Sequence, residues 1–365
     1  MPDGHGGLEA VLGRDAIDLD GRDFGEYLAD TVVLVTGAGG SIGGELCSRL
    51  TRLGVRELVL VDQAEAPLVA LARTLRHDLE FPNVVPVLAD IRSPTRVGDV
   101  FERHRPQVMF HAAAYKDVPL LEDSPVEGVA TNVLGTKWIV DAAQRVGVRR
   151  FVLFSTDKAV QPTSILGQTK AVAEWIVAAA GCGPAPARYA SVRFGNVVDS
   201  AGSILPVFRG QVARGGPVTV THPEVTRYMM TAGEAAGLAI VAGGLADAND
   251  VFWFDSGPPV GVLDLARRLA SAASRDVAIE FVGLRAGERL HERPFSGGDE
   301  VAATCCDHVW RSSMQEVDPA WLNGWLAVLA GHVERASAAG VRAALGEMHA
   351  AREVEGVTPA AAIAP

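Results

Sequence analysis

The sequence predicts an α/β chain: a doubly wound parallel sheet with a smaller, interleaved C-terminal lobe. Three observations predict it. Short β-branched apolar runs alternate with helical stretches from residue 31 to residue 194, the pattern of a parallel sheet covered on both faces. A glycine-rich turn joins the first run to the first helical stretch. Beyond about residue 200 the alternation weakens and Gly and Pro become frequent.

The elements follow in order. Thr31–Thr36 (TVVLVT) reads as a buried strand, and Gly43 to Leu53 as a helix. Glu57–Asp62 is the second strand; Ala66 to His77 is helical, with Leu68, Leu71, Ala72 and Leu75 on one face. Val84–Leu88 is the third strand, Val97 to His104 a short helix, and Val108–His111 the fourth strand. Pro125 to Val146 reads as one long helix, Arg150–Ser155 as a strand, Thr163 to Ala180 as a helix and Ala190–Phe194 as a strand. Right-handed crossovers would join these strands. The expected organisation is an N-terminal extension over 1–30 and a sheet domain over 31–200, to which 231–256 returns through a helix (Thr231 to Gly243) and a strand (Val251–Asp255). The smaller lobe takes 201–230 and 257–320. A C-terminal helix and a tail, frayed from about Arg352, take 321–365.

Composition excludes several functions. The charge of 33 − 44 = −11 argues against wholesale binding of nucleic acid or anionic membrane, though not against a local basic pocket. Cys47, Cys182, Cys305 and Cys306 form no C-x-x-C pair, so no metal site is expected and reduced thiols are. Met1 to Gly7 is polar and no signal peptide. The most apolar stretch, Ala235 to Ala246, falls short of the ~20 residues of a membrane span. A soluble, cytoplasmic protein is the expectation.

The turn Thr36-Gly37-Ala38-Gly39-Gly40-Ser41-Ile42-Gly43 carries the first chemical signal. Gly37 permits the tight turn, Gly40 lets backbone approach a pyrophosphate, and Gly43 lets the helix pack against the sheet. The helix start then offers N–H groups and a positive dipole end. Its place between strand and helix makes this a dinucleotide fingerprint of the Rossmann kind. Asp62 ends the second strand 19 residues after Gly43, where an acid accepts bonds from a ribose diol and disfavours a 2′-phosphate. NAD is therefore the expected cofactor. Gln63 adds no positive charge; Asp90 and Ile91 would flank the adenine.

Three further segments fall at the carboxyl ends of strands, where ligands bind in open α/β sheets: HAAAYK from His111, STDK from Ser155, and RFGN from Arg193. Ala112, Ala113 and Ala114 leave room for a nicotinamide. Ser155 and Thr156 set hydroxyls beside Asp157 and Lys158. Lys170 lies one helical turn past Leu166, on the same face.

The glycine pattern, HAAAYK, STDKAVQPT, the Lys170 helix, RFGNV, THPEVTRYMMT and GLRAGE occur in that order. Together they resemble the extended short-chain dehydrogenases, specifically the polysaccharide-biosynthesis nucleotide-sugar 4,6-dehydratases of the capsule and N-glycan type. The resemblance runs from about residue 10 to about 300, and Leu12-Gly13-Arg14-Asp15 looks like the segment preceding the catalytic domain in long, membrane-anchored members. It implies a redox-neutral reaction: oxidation at C4, loss of the C5 proton and the 6-hydroxyl, and reduction at C6. It further implies Asp157 as the acid near O6 and Lys158 as the base near C5. Thr156 would bond the 4-hydroxyl. Lys170 would hold the nicotinamide ribose, and Asn132 would belong to the cofactor site. Burial is the general means of holding a carboxylic acid protonated and an amine neutral. For the substrate, the resemblance points to Asn196 and Arg227 at the diphosphate with Arg285 beside them, and to Tyr115 and Lys116 on the sugar side. It also implies a homo-oligomer.

The sequence departs from the family in three places. The usual Tyr-x-x-x-Lys reads Leu166-Gly167-Gln168-Thr169-Lys170, and leucine cannot act as a base. Ionised Asp157, Thr156 with a water, or Tyr115 would have to supply it. Asp117 stands where relatives often carry histidine, a change expected to bear on sugar selection. Glu292-Arg293-Pro294 departs from the usual acidic helix. Glu288 is expected to support Arg285, and His222 to be a turn residue. The leading expectation is a UDP-N-acetylglucosamine 4,6-dehydratase. Its rivals are another nucleotide-sugar reaction on this scaffold (epimerisation or 5,6-dehydration) and a non-catalytic NAD-binding sensor, which Leu166 would favour.

Overall fold

A computed structural model describes residues 12–17, 19, 22–181, 187–200, 202–247, 249–273 and 277–355. Strands and helices alternate through the first half: β1 (Val32–Thr36), α1 (Ser41–Leu50), β2 (Glu57–Asp62), α2 (Glu65–Arg73), β3 (Val84–Leu88), α3 (Pro94–His104), β4 (Val108–His111), α4 (Val118–Asp123), α5 (Thr136–Val146), β5 (Arg150–Thr156), α6 (Ile165–Gly181) and β6 (Arg188–Phe194). After β7 (Asn196–Val197) come α7 (Ile204–Ala213), β8 (Val218–Val220), β9 (Thr226–Arg227) and β10 (Met229–Met230). Then follow α8 (Ala232–Leu245), β11 (Asp250–Phe254), β12 (Val260–Gly261), α9 (Val262–Ala272), β13 (Ile279–Phe281), β14 (Val301–Ala303), β15 (Val309–Ser313), α10 (Pro319–Glu334) and α11 (Ala338–Glu355).

One nine-stranded sheet runs β14-β15-β11-β6-β5-β4-β1-β2-β3. The seven strands from β11 to β3 are parallel; β15 pairs antiparallel to β11, and β14 antiparallel to β15. Both faces are covered. Along β1, Val32 and Leu34 enter one core and Val33 and Val35 the other, the alternation of a two-sided strand. A third core, with Phe208, Val218 and Leu265, fills the smaller lobe. The order places β1 and β4 side by side, so the crevice between their carboxyl ends opens at the switch in winding direction.

Four features differ from the sequence reading. The stretch 125–146 is helical throughout but opens into a wide, π-helical turn over Val129–Gly135. Residues 301–313, expected in the smaller lobe, instead pair onto β11 and cover its edge. The strand Val309–Ser313 buries Val309 and Ser312 and exposes Trp310 and Ser313, without the period-two alternation that marks a strand in sequence. Arg352, expected in the frayed tail, lies in α11 and donates to the carbonyls of Gln315 and Glu316. Cys182 and the tail beyond 355 lie outside the described residues.

The fourth concerns the N-terminal extension. Its described part, between Leu12 and Asp30, is strapped to α8. Arg14 forks onto Glu234 at 2.6 and 3.0 Å and donates to the Met229 carbonyl; Tyr27 Oη donates to the Ile240 carbonyl. A Cβ on Gly237 would lie 2.1 Å from the Leu19 carbonyl oxygen, so only glycine admits the strap there. Packed between sheet and strap, α8 is apolar all round because it is buried all round. No helix among the described residues is long and apolar enough to cross a membrane.

Candidate active site

The carboxyl ends of β1, β2, β4, β5 and β6 open into a cleft of about 740 Å³ floored by the sheet and walled by the smaller lobe, within the size range of ligand sites. Of the residues assigned from sequence to catalysis, cofactor or substrate, all but Gly39, Asn132 and Asp157 line it.

The first end is made of backbone. Gly37 has φ = 67°, and a Cβ there would lie 2.7 Å from the Ala113 nitrogen. A Cβ on Gly43 would lie 2.2 Å from the Gly37 carbonyl oxygen. Helix α1 starts after Gly40 without a side-chain cap, so its dipole faces the cleft. Asp62, at the end of β2, accepts from the Gly39 and Ala64 nitrogens at 2.9 Å each, which fixes the turn and the carboxylate together. Gly39 thus braces Asp62 behind the wall. Asp90 is held by Arg92, whose side chain bonds both its oxygens and also reaches Glu127; that guanidinium keeps the Asp90 carboxyl below its usual range. Ile91 and Gln63 line the same end.

The floor beneath the alanines is set by a buried histidine. Thr136 Oγ1 donates to the Asn132 carbonyl, so it accepts from His111 Nε2, while Thr36 Oγ1 faces Nδ1 at 2.7 Å. The ring is therefore neutral with its proton on Nε2. Burial, with a smaller contribution from nearby Lys170, pushes it down to about 3. Asn132, also expected at the cofactor, is fully buried below the wall. It accepts from the Tyr115 nitrogen and donates to the Tyr115 carbonyl and Thr169. Its side chain positions Tyr115 and has no surface to offer a ligand.

The second end is made of side chains. Asp157 is fully buried and does not reach the cleft. Thr156 Oγ1 donates to its Oδ1 at 3.0 Å and Lys158 Nζ donates to the same oxygen at 2.9 Å; Oδ2 is buried without a hydrogen-bond partner among the described residues. Thr156 and Lys158 line the cleft in front of it. Lys158 Nζ also donates to Asn196 Oδ1 at 3.2 Å, so this asparagine holds the amine. Lys170, 5% exposed, makes no protein hydrogen bond through Nζ among the described residues; burial lowers it to about 8, opposed in part by Glu174. Leu166 stands one turn before it and lines the cleft.

On the far wall, Arg227 spends Nη1 on the carbonyls of Thr226 and Leu290 and is 7% exposed. Arg285 forks onto Glu288 at 2.8 and 3.0 Å. Lys116 Nζ donates to Ser200 at 3.1 Å, and burial lowers its proton affinity. Asp117 caps α4 through the Leu120 nitrogen, a structural task. His222 accepts from the Glu224 nitrogen within its turn.

Two groups escaped the sequence reading. Glu174 accepts from Ser155 at 2.6 Å and is forked by Arg193 at 2.9 and 2.8 Å, all buried; Arg193 continues to the Pro294 carbonyl. Glu292 lines the cleft with its side chain 3% exposed, 3.7 Å from Lys158 Nζ. One signal was available. The chain has 29 arginines but only four lysines, Lys116, Lys137, Lys158 and Lys170, and three of the four line the cleft. Lysine, unlike arginine, can give up its proton when buried.

Residues 33–313 match the family described as polysaccharide biosynthesis protein. The chain is 42% identical over 292 residues to the capsular polysaccharide biosynthesis protein CapD of Staphylococcus aureus, covering 78% of this chain and 48% of that one. It is 40% identical over 288 residues to the probable polysaccharide biosynthesis protein EpsC of Bacillus subtilis (strain 168), with 78% and 48% covered. It thus spans about half the length of these two relatives. Among solved structures, Pen from Bacillus thuringiensis superposes with a TM-score of 0.72 at 28% identity, covering 79% of this chain and 90% of that one.

Proposed function

The chain belongs to the polysaccharide biosynthesis protein family, and from that premise we propose that it is an NAD-dependent nucleotide-sugar 4,6-dehydratase acting on UDP-N-acetylglucosamine. The observation that carries this reading is the cluster at the end of β5. Thr156 and Lys158 face the cleft, both are bonded to a buried Asp157, and the Lys170 amine on α6 makes no hydrogen bond among the described residues.

The residues fit a dinucleotide. The space a Cβ would fill at Gly37 and Gly43 is taken by backbone, the α1 dipole faces the diphosphate position, and Asp62 stands ready for a ribose diol. Bound NAD would take hydride from C4 of the sugar and return it at C6. Lys170 Nζ would bond the nicotinamide ribose and set a positive charge beside O4. Thr156 would bond the 4-hydroxyl; because Leu166 cannot take that proton, it passes through Thr156 toward Asp157. Once C4 is a ketone, the C5 proton is acidified and goes to the Lys158 amine. The 6-hydroxyl departs as water with a proton that Asp157 returns by way of Thr156, and once C6 has regained its hydride the Lys158 ammonium, exchanged with solvent, gives a proton back to C5. Arg227 and Arg285 would neutralise the nucleotide diphosphate, with Lys116 on the sugar side of the cleft.

Incubation with NAD and UDP-N-acetylglucosamine in deuterated water tests the reading. A 4-keto-6-deoxy sugar carrying deuterium at C5 is expected. An epimer with an intact 6-hydroxyl, or tight NAD binding without turnover of any nucleotide sugar, would overturn it.

A further inference from the structure

Glu292 belongs to neither half of the site as the sequence defines it. It comes from the smaller lobe, far along the chain from the β5 cluster. Its side chain is 3% exposed, a degree of burial that carboxylates rarely reach without a partner. Its charge partners among the described residues are Lys158 Nζ, 3.7 Å from Oε1, and Arg289 Nη1, 3.9 Å from Oε2. Neither is a hydrogen bond at that length, and Oε2 is buried with no hydrogen-bond partner among the described residues. Arg289 is engaged elsewhere, donating to Thr163 Oγ1 and the Val160 carbonyl. The Lys158 amine therefore sits among three acceptors: Asp157 and Asn196 from the sheet domain, and Glu292 from the opposite lobe.

We infer that Glu292 is the positioning residue for Lys158. Resting on the dehydratase reading, the inference gives it two tasks. It draws the amine off Asp157 toward the lobe that walls the sugar side of the cleft. It also faces the ammonium that forms when Lys158 takes the C5 proton, so positive charge created there meets an anion already in place. The loss of charge at residue 292 then slows the step at C5 and leaves oxidation at C4 alone.

The four lysines make the test site-resolved. With NAD present, the rate at which acetic anhydride acylates each lysine is read by mass spectrometry for the wild type, Glu292→Gln and Glu292→Asp. Lys158 is expected to acylate several-fold faster in Glu292→Gln, with Glu292→Asp close to wild type and Lys137, paired with Asp141 on the surface, unchanged. Equal Lys158 rates in wild type and Glu292→Gln would overturn the pairing, whatever reaction the protein performs. In turnover with UDP-N-acetylglucosamine, Glu292→Gln is expected to lower deuterium entry at C5 about tenfold, through loss of the charge that faces the ammonium, with KM little changed and reduced nicotinamide accumulating. A raised KM with kcat intact would make Glu292 a binding contact only and overturn the positioning role. A wild type that makes no C5-deuterated product removes the dehydratase reading, while the acylation rates still decide the pair.

Discussion

The two ends of the cleft are built by different means. At the cradle end, between β1 and α1, ligand contacts come from backbone, and the side chains that matter are the ones missing at Gly37, Gly40 and Gly43. At the amine end, Lys158 is placed by Asp157, Asn196 and Glu292, which stand 1, 38 and 134 residues away from it in the chain. A backbone site is specified by a few neighbouring residues and tolerates almost no change of shape. A side-chain site is specified by the whole fold and tolerates shape changes better than changes of charge.

The comparison is broken most severely at the amine end. Lys158→Met and Asp157→Asn are each expected to lower deuterium entry at C5 by about a thousandfold, in the range of a lost general acid or base, with NAD affinity measured by calorimetry unchanged. A parallel loss of NAD affinity would mean that the two ends are not separable. Gly43→Ala attacks the cradle. Its Cβ would lie 2.2 Å from the Gly37 oxygen, and forcing backbone apart there is expected to cost about 3 kcal/mol. Most of that loss should appear in NAD affinity.

Lys170 sharpens the contrast through pH. Burial lowers it from the usual lysine range to about 8, so the unfolded chain binds the extra proton up to a higher pH than the native state. The cost of burying the cation is therefore full below about 8 and is relieved as pH rises from there toward the unfolded lysine value. Lys170→Met is expected to stabilise the protein without cofactor by about 2 kcal/mol at pH 7, in urea unfolding, while turnover is lost. The gain should shrink above pH 8; a gain that grows there would contradict the burial argument. The smallest effect is at Leu166. Leu166→Met conserves volume and apolarity, and rate and stability should each change by less than about 1 kcal/mol.

What was legible in the sequence follows the same division. The strands through β6 and the glycine turn were readable because each is a local pattern with one physical reading. Asp62 was readable because strand length fixes its distance from the turn. Asn132 was named, but its place under Tyr115 depends on the wide turn over Val129–Gly135, for which periodicity has no signature. The strap from Leu12 to Asp30 looked like a linker because its partners, Glu234 and Ile240, lie more than 200 residues on. Glu292 was passed over for the same reason, since nothing near it in the chain says that Lys158 lies opposite. The four lysines were visible in the sequence, but it takes the fold to bring Lys116, Lys158 and Lys170 to one cleft.

The most direct measurement is the structure of the ternary complex with NAD and UDP-N-acetylglucosamine. The sugar is expected with C4 over the nicotinamide and with Lys158 Nζ about 3 to 3.5 Å from C5, the spacing of a reactive pair. Thr156 should bond the 4-hydroxyl. A complex in which Lys158 stays between Asp157 and Glu292 while the sugar presents another carbon to the ring would contradict the account.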